Sequence, residues 1–393
     1  MLEPMHRTRT QMGDPVLGRA MALLVLAAVA ATACHSSGPG TSGTGGGSGS
    51  GTPTGGSGGS GVVGGGSSKP VYPLGTVSPG PANTAFCLPG DDCKGFFAAC
   101  PETGKDTKFI LSIGDPTGPN RGVLVFLSGG GGNKLWSQEA KQDLAFSGQG
   151  GTGKGIDQQA AQQAANFLQD LRQRGYMTIQ VVWPTAWLAA PPGDQVGPAR
   201  LGCRPATALK YIHDSYFAKM GVNPGPLKCG FCVAGNSGGA TQIGYSLAFY
   251  GLGDIIDAAV MSGGPPHAAL DKACLNEPGF QYNTNLDGVL DASYGFSGPQ
   301  HGPCVAHDQS YAAKWRADGI DTGGRYYSYP NTRVLFLLGG QDDTQVGPHQ
   351  LAYYQKVKQS GSPTVEQITI PDMTHAITAS SEGLNDIKSW FLG

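Results

Sequence analysis

This chain is short of charge. Asp, Glu, Lys and Arg make up 14% of its 393 residues, against roughly 25% in an average soluble domain. It also lacks an excess of either sign, since 26 basic and 28 acidic residues leave a formal net charge of −2. Without a basic surplus there is nothing to hold a phosphate backbone, which argues against a nucleic-acid binder. No apolar run is long enough for a permanent membrane span. The N-terminal one, Ala20 to Ala33, stops at 14 residues, where a spanning helix needs about 20. No fixed internal period is visible, so helical repeats and coiled coils are excluded. What the chain has in quantity is glycine, 64 residues of it, a composition that implies long loops, flexible linkers, or both.

The glycine is unevenly spread, and its distribution divides the chain into three. Arg7, Arg9 and Arg19 precede the apolar run, which ends in Ala31-Thr32-Ala33-Cys34. A charged stretch, a short apolar stretch and small residues read as an export signal over 1–33. Small residues immediately before a cysteine resemble a bacterial lipobox, which implies a lipid on Cys34 and anchorage to a membrane of a bacterial cell envelope. Residues 34–68 are almost wholly Gly, Ser, Thr and Pro. They cannot bury enough apolar surface to offset chain entropy and are expected to form a disordered tether. A coil of this kind and length spans on the order of 30 Å. The folded body is expected over 69–393.

Eight cysteines remain in that body: Cys87, Cys93, Cys100, Cys203, Cys229, Cys232, Cys274 and Cys304. An even number in an exported domain points to disulfides, and their spacing leaves the pairing open. The pair in Cys229-Gly230-Phe231-Cys232 has redox-motif spacing but runs into an apolar strand rather than opening a helix, so bridging is the expected role.

The body alternates between two hydrophobic periods. Short apolar runs of buried-strand type occupy 122–127, 177–183, 229–234, 257–261, 334–338 and 365–370, with an antiparallel strand expected at 107–113. Helical spacing occupies 158–175, 205–220, 238–250, 348–359 and 381–391. Such alternation implies an α/β fold, a mainly parallel sheet with helices on both faces. It breaks between about 265 and 330, where Gly, Pro, Asn and a Tyr cluster suggest an insertion, a lid or a wall of a cleft. Trp183, Trp187 and the tyrosines Tyr326, Tyr327 and Tyr329 could line a sugar or aromatic site, with burial in the core as the commoner fate of such residues.

The most informative stretch is Gly235-Asn236-Ser237-Gly238-Gly239. It follows a strand and precedes a helix, the setting that a Gly-x-Ser-x-Gly nucleophile elbow requires. A serine hydroxyl is a weak nucleophile until a base takes its proton. His375 lies after the last strand and before the closing helix, where a strand end would present it; His267, His213, His349, His301 and His307 are the other histidines of the body. An acid must orient the imidazole. Asp342 and Asp343 follow the penultimate strand, and Asp343 is the expected acid, with Asp342 as the alternative.

Ser237, Asp343 and His375, in that chain order, resemble the α/β-hydrolase superfamily over roughly 107–393. Gly340-x-x-Asp343-x-x-Val346 matches the family's spacing around the acid. The resemblance implies an α/β-hydrolase fold, an acyl-enzyme mechanism on carboxylic esters, and no cofactor. It also implies an oxyanion hole from the N–H of Gly238 and of the loop Ser128-Gly129-Gly130-Gly131-Gly132, with Gly130 or Gly131 as the second donor. Ser128 stands where many members carry His. Candidate substrates are small esters, acylated polysaccharides or polyesters. A serine peptidase, a lipase, or a non-catalytic binding lipoprotein on the same scaffold are the alternatives. Asn283-x-Asn285-x-Asp287-Gly288 resembles the start of a Ca²⁺ loop, but Tyr294 occupies the twelfth position in place of the bidentate Glu, and no metal is expected there.

Overall fold

In the computed structural model, the described residues are 71–139, 154–225, 228–282, 286–296 and 302–393. The expected export signal, Cys34 and the Gly/Ser tether lie outside them, as do Asn283 and Asn285.

Nine strands form one sheet: β1 (Thr76–Gly80), β2 (Asp92–Ala99), β3 (Thr107–Gly114), β4 (Gly122–Leu127), β5 (Tyr176–Val182), β6 (Phe231–Asn236), β7 (Ala258–Ser262), β8 (Arg333–Gly339) and β9 (Val365–Ile370). Their order is β1-β2-β3-β5-β4-β6-β7-β8-β9. β1, β2 and β3 run antiparallel to their neighbours, and from β5 onward every pairing is parallel. The parallel strands are apolar on both faces because both faces are covered. Val123, Val125 and Leu127 point into one core with Phe231, Val233 and Phe336. The alternate residues Leu124 and Phe126 point into the other with Ala234, Leu335 and Leu337. Each fully buried side chain of this size contributes about 1.5–3 kcal/mol.

The helices divide between these faces. α1 (Lys154–Gln173) and α8 (Ser381–Leu392) cover the second core. α1 places Ala160, Ala164, Phe167, Leu168 and Leu171 inward, a single stripe at helical spacing. α8 starts where the Ser380 side chain accepts the Gly383 N–H, a cap that satisfies one of the free donors of the first turn. On the first face lie α2 (Cys203–Ile212), α3 (Gly238–Ala248) and α7 (Gly347–Gln359). α3 is buried all round except at its first residue, because it lies directly behind the strand that leads into it. Strand order, strand direction and two-sided helix cover together define an α/β-hydrolase fold.

Two elements were not expected. β1 and β2 lie in the leading segment, where Pro, Gly and Cys interrupt any alternation and five of the thirteen strand positions are exposed. They form because β3 offers β2 a free edge. Bridges Cys87–Cys93 and Cys100–Cys203 tie this segment down, the latter joining the end of β2 to the start of α2. Closing a loop of that length restricts the unfolded chain by roughly 4–5 kcal/mol on a chain-entropy account. The remaining pairs are Cys229–Cys232 and Cys274–Cys304.

Between β7 and β8 the chain forms three short helices, α4 (Leu270–Cys274), α5 (Leu286–Ser293) and α6 (Ala312–Asp318). They close on a small core of Leu270, Leu290, Tyr294, Trp315 and the Cys274–Cys304 bridge. The Ca²⁺-like stretch turns helical at Leu286, and the Asp291 carboxylate accepts the N–H groups of Cys304 and Val305. Trp183 and Trp187 are fully buried, and Tyr327 and Tyr329 belong to the main core.

Candidate active site

Five chain segments leave the carboxyl ends of β4, β6, β7, β8 and β9, the edge of an open α/β sheet where ligands bind. Ser237 stands between β6 and α3 with φ 53° and ψ −114°. That conformation costs a non-glycine residue of order 1–3 kcal/mol, so it persists only where its surroundings impose it. Here the Ser237 N–H donates to Ser262 O at 2.8 Å, and its carbonyl accepts the Thr241 N–H at 3.0 Å. The bend brings Gly239 so close to β4 that a Cβ there would stand 2.0 Å from Leu127 O, which is why glycine is required after the serine. The N-terminus of α3 lies at the hydroxyl and favours negative charge.

His375 lies beyond β9, 8% exposed. Its Nδ1 is 2.8 Å from Asp342 Oδ2, and the Asp342 side chain is 1% exposed. The expectation of Asp343 is corrected here: the carboxylate bonded to the ring is that of Asp342, and Asp343 is exposed. The reason is the register of the turn. Counting from Gly340 led to Asp343, but the turn closes one residue earlier, where the Asp342 N–H bonds Gly339 O. The acid-bearing and histidine-bearing segments are also laced by backbone bonds, Gly340 N–H to Ile370 O and Gln341 N–H to Met373 O. Gly339 permits that contact, since a Cβ there would lie 2.3 Å from Met373 O.

Thr344 completes the carboxylate's surroundings. Its N–H and hydroxyl both donate to Asp342 Oδ1, and the same hydroxyl lies 3.3 Å from His375 Nδ1. Burial by itself would raise the Asp342 carboxyl. The hydrogen bond and charge of His375 and the two Thr344 donors outweigh it and hold the group below the usual carboxylate range. An ionised Asp342 accepts a hydrogen bond from Nδ1–H, which leaves Nε2 as the acceptor of the ring.

The loop after β7 joins the two halves of this arrangement. A Cβ on Gly263 would stand 3.0 Å from the His375 ring, and one on Gly264 3.2 Å from Ser237 O. The glycine loop after β4 closes the other side, where a Cβ on Gly129 would lie 3.2 Å from Ser237 Cβ. Gly238 packs on Gly130 so tightly that a Cβ would fall 2.7 Å from Gly130 N. Of the two glycines left open by the sequence, Gly130 is thus the one against Gly238, while Gly131 faces Ala186 and its carbonyl accepts the Trp187 N–H.

Sequence reasoning missed four participants. Thr344, Gln242, Gln350 and Glu139 are polar residues at buried positions. Gln242 accepts Trp183 Nε1–H and donates to Ser128 O. Gln350 accepts the Gly264 N–H at 3.1 Å, and Glu139 accepts the Gly129 N–H. Their only signal was a polar residue inside or beside an otherwise apolar pattern, and the spacing of a single sequence does not reveal its partners.

No family model and no curated protein matches the chain. Solved structures do resemble it. A thermophilic esterase from Thermogutta terrifontis shares 14% identity at a TM-score of 0.45, covering 78% of this chain and 96% of the esterase. Est1E from Butyrivibrio proteoclasticus shares 12% identity at 0.41, covering 75% of this chain and 98% of that one. An acylaminoacyl peptidase from Pyrococcus horikoshii shares 11% identity at 0.45, covering 77% of this chain and 40% of the peptidase. Similarity at this level adds nothing to what strand order and direction establish.

Proposed function

We propose that this chain is an exported serine hydrolase that cleaves carboxylic esters through an acyl-enzyme. The observation that carries the reading is a serine at φ 53° at the mouth of a helix, on the same sheet edge as a buried, hydrogen-bonded Asp342–His375 pair. Ser237 Oγ attacks the ester carbonyl while His375 Nε2 takes its proton. Asp342 holds the ring in that tautomer and stabilises the imidazolium. The N–H groups of Gly238 and Gly130 receive the oxyanion, each such donor being worth about 3–4 kcal/mol. His375 returns the proton to the leaving alcohol, and water then releases the acid by the same route. A lipid on Cys34 and the Gly/Ser tether would hold the enzyme at a bacterial envelope membrane while leaving its orientation free. The disulfides favour an exported setting, and no helix among the described residues is long and apolar enough to cross a membrane.

A fluorophosphonate probe tests the reading. The oxidised wild-type chain is expected to label and Ser237→Ala to stay unlabelled. An unlabelled wild type would instead favour a binding protein on a hydrolase scaffold. A panel of esters varied in acyl length and alcohol then defines the substrate class. Cys34→Ser is expected to move the protein from the membrane to the soluble fraction of a bacterial host.

A further inference from the structure

We infer that Glu139 is a positioning residue of the oxyanion loop: its buried carboxylate fixes one peptide plane so that the following N–H, that of Gly130, faces the reaction. The inference rests on the proposed hydrolase reading and concerns a residue ten positions after the Gly129 whose N–H it holds.

The peptide unit between Ser128 and Gly129 is held at both ends, its carbonyl by Gln242 Nε2 at 3.2 Å and its N–H by Glu139 Oε1. In the next unit, Gly129 O accepts the Gly132 N–H at 3.0 Å. Because a trans peptide directs its C=O and N–H oppositely, that bond turns the Gly130 N–H away from Gly132. Gly131 O and Gly132 O accept the N–H groups of Trp187 and Trp183. The scaffold thus holds the loop on every side, and Gly130, at φ 55°, lies against Gly238.

Glu139 is suited to this task by its place. It is 5% exposed, and its own N–H donates to Trp136 O at the end of the turn Trp136–Gln138. The indole of that turn is fully buried against Phe126 and Phe167. The carboxylate therefore stands on the rigid core of the sheet's second face and reaches the loop from behind. A Cβ on Gly129 would lie 2.8 Å from Glu139 Oε1 and 3.2 Å from Ser237 Cβ, so the acceptor is one residue's width from the nucleophile. Without it, the Gly129 N–H is a buried donor without its acceptor, and the first peptide plane can rotate to find another. An error of about 1 Å at such a place costs on the order of 10²-fold in rate.

The test compares Glu139→Ala, Glu139→Gln and Glu139→Asp with wild type and Ser237→Ala in the full oxidised chain, using p-nitrophenyl acetate, a fluorophosphonate and phenylboronic acid. Glu139→Ala is expected to lower kcat by roughly 30–100-fold with KM within about threefold, and to weaken phenylboronic acid binding in parallel, since both depend on the tetrahedral geometry. Glu139→Gln keeps a carbonyl oxygen at the same place and is expected within about fivefold of wild type or faster. A loss of stability alone would lower the melting temperature without this kcat-specific, boronate-matched pattern. Full kcat in folded Glu139→Ala, or a Glu139→Gln as slow as Glu139→Ala, overturns the inference. If Glu139→Ala does not fold, Glu139→Asp decides: it withdraws the oxygen by one methylene, and slow turnover supports the positioning role while wild-type turnover overturns it. A wild type that neither labels nor turns over fails the hydrolase reading itself, whereas a labelling wild type with unaffected Glu139 variants fails this inference alone.

Discussion

Three buried histidines lie in two regions of this molecule, and the two regions treat the same side chain in opposite ways. Beyond β9, His375 meets an ionised carboxylate that accepts from Nδ1. After β7 and at the start of α7, His267 and His349 each have Nδ1 buried and unpartnered among the described residues. His349 Nε2 instead donates to Phe280 O, and its ring stacks on Tyr282. Burial pushes His349 down to about 4, a shift that the Phe280 carbonyl only partly opposes. Burial, assisted by the charge of His349, pushes His267 down to about 3. A base must accept a proton and hold the resulting cation for the length of a transition state. The first region supplies a counter-charge for that cation and the second penalises it by desolvation. Burial alone therefore does not mark a catalytic histidine; its partner does.

The comparison can be broken most directly at the partner. Asp342→Asn is expected to lower kcat/KM on a nitrophenyl ester by about 10³–10⁴-fold while leaving the fold intact. Asp343→Asn should change it by less than about fivefold, since the carboxylate bonded to His375 Nδ1 is that of Asp342. Losses of equal size at both positions would erase the assignment made from the Nδ1 contact. On the other side of the comparison, His349→Gln keeps a donor for Phe280 O and should leave kcat/KM per folded molecule within about fivefold, where His375→Gln loses turnover altogether. A His349→Gln protein that folds but cannot turn over would show that the second region also handles the reacting proton.

Acid stability sharpens the same contrast. Since the folded-state value of His349 lies below its unfolded value of about 6.5, the unfolded chain binds the proton first. The stability it contributes is then fully present above pH 6.5 and is lost as pH falls toward 4, at up to about 1.4 kcal/mol per pH unit. Urea unfolding between pH 7 and 4 should show wild type losing on the order of 3 kcal/mol relative to His349→Gln. Asp287, Asp318 and Asp321 are each raised to about 6 by burial and act in the opposite direction, but they are common to both proteins and drop out of the difference. Parallel curves would place His349 in contact with water. The smallest expected effect is at Thr344. Thr344→Val removes the hydroxyl donor to Asp342 and leaves the backbone donor. It should cost roughly 3–10-fold in kcat and raise the Asp342 carboxyl, a shift read directly by NMR titration of that carboxylate. An unmoved titration would leave the depression of Asp342 to His375 alone.

Legibility followed the range of the interactions. The runs expected at 122–127, 334–338 and 365–370 coincide with β4, β8 and β9 to within a residue, because a strand buried on both faces must be apolar throughout. α1 declared itself through Ala160, Ala164, Phe167 and Leu171 at helical spacing. β1 and β2 did not, since they owe their existence to the edge of β3 rather than to their own pattern. The turn around Ser237 could be read because strand, bend and helix are contiguous. The carboxylate that meets His375 could be read only to within one residue, because its register is set by the bonds of Gly340 to Ile370 and Gln341 to Met373, which join segments about thirty residues apart. Glu139 and Gln242 were silent, since a lone polar residue carries no sign of the backbone group it will hold.

By itself, the sequence determined the α/β class, the strand–turn–helix around Ser237 and the distribution of apolar residues over two faces, all consequences of local period and steric limits on the backbone. Which strands are neighbours, which aspartate meets His375, which cysteines pair and which distant groups hold the glycine loop were decided only by tertiary structure. These depend on hydrogen bonds and contacts between segments far apart in the chain, and a one-residue change of register there reassigns the partner without altering the pattern that a sequence displays.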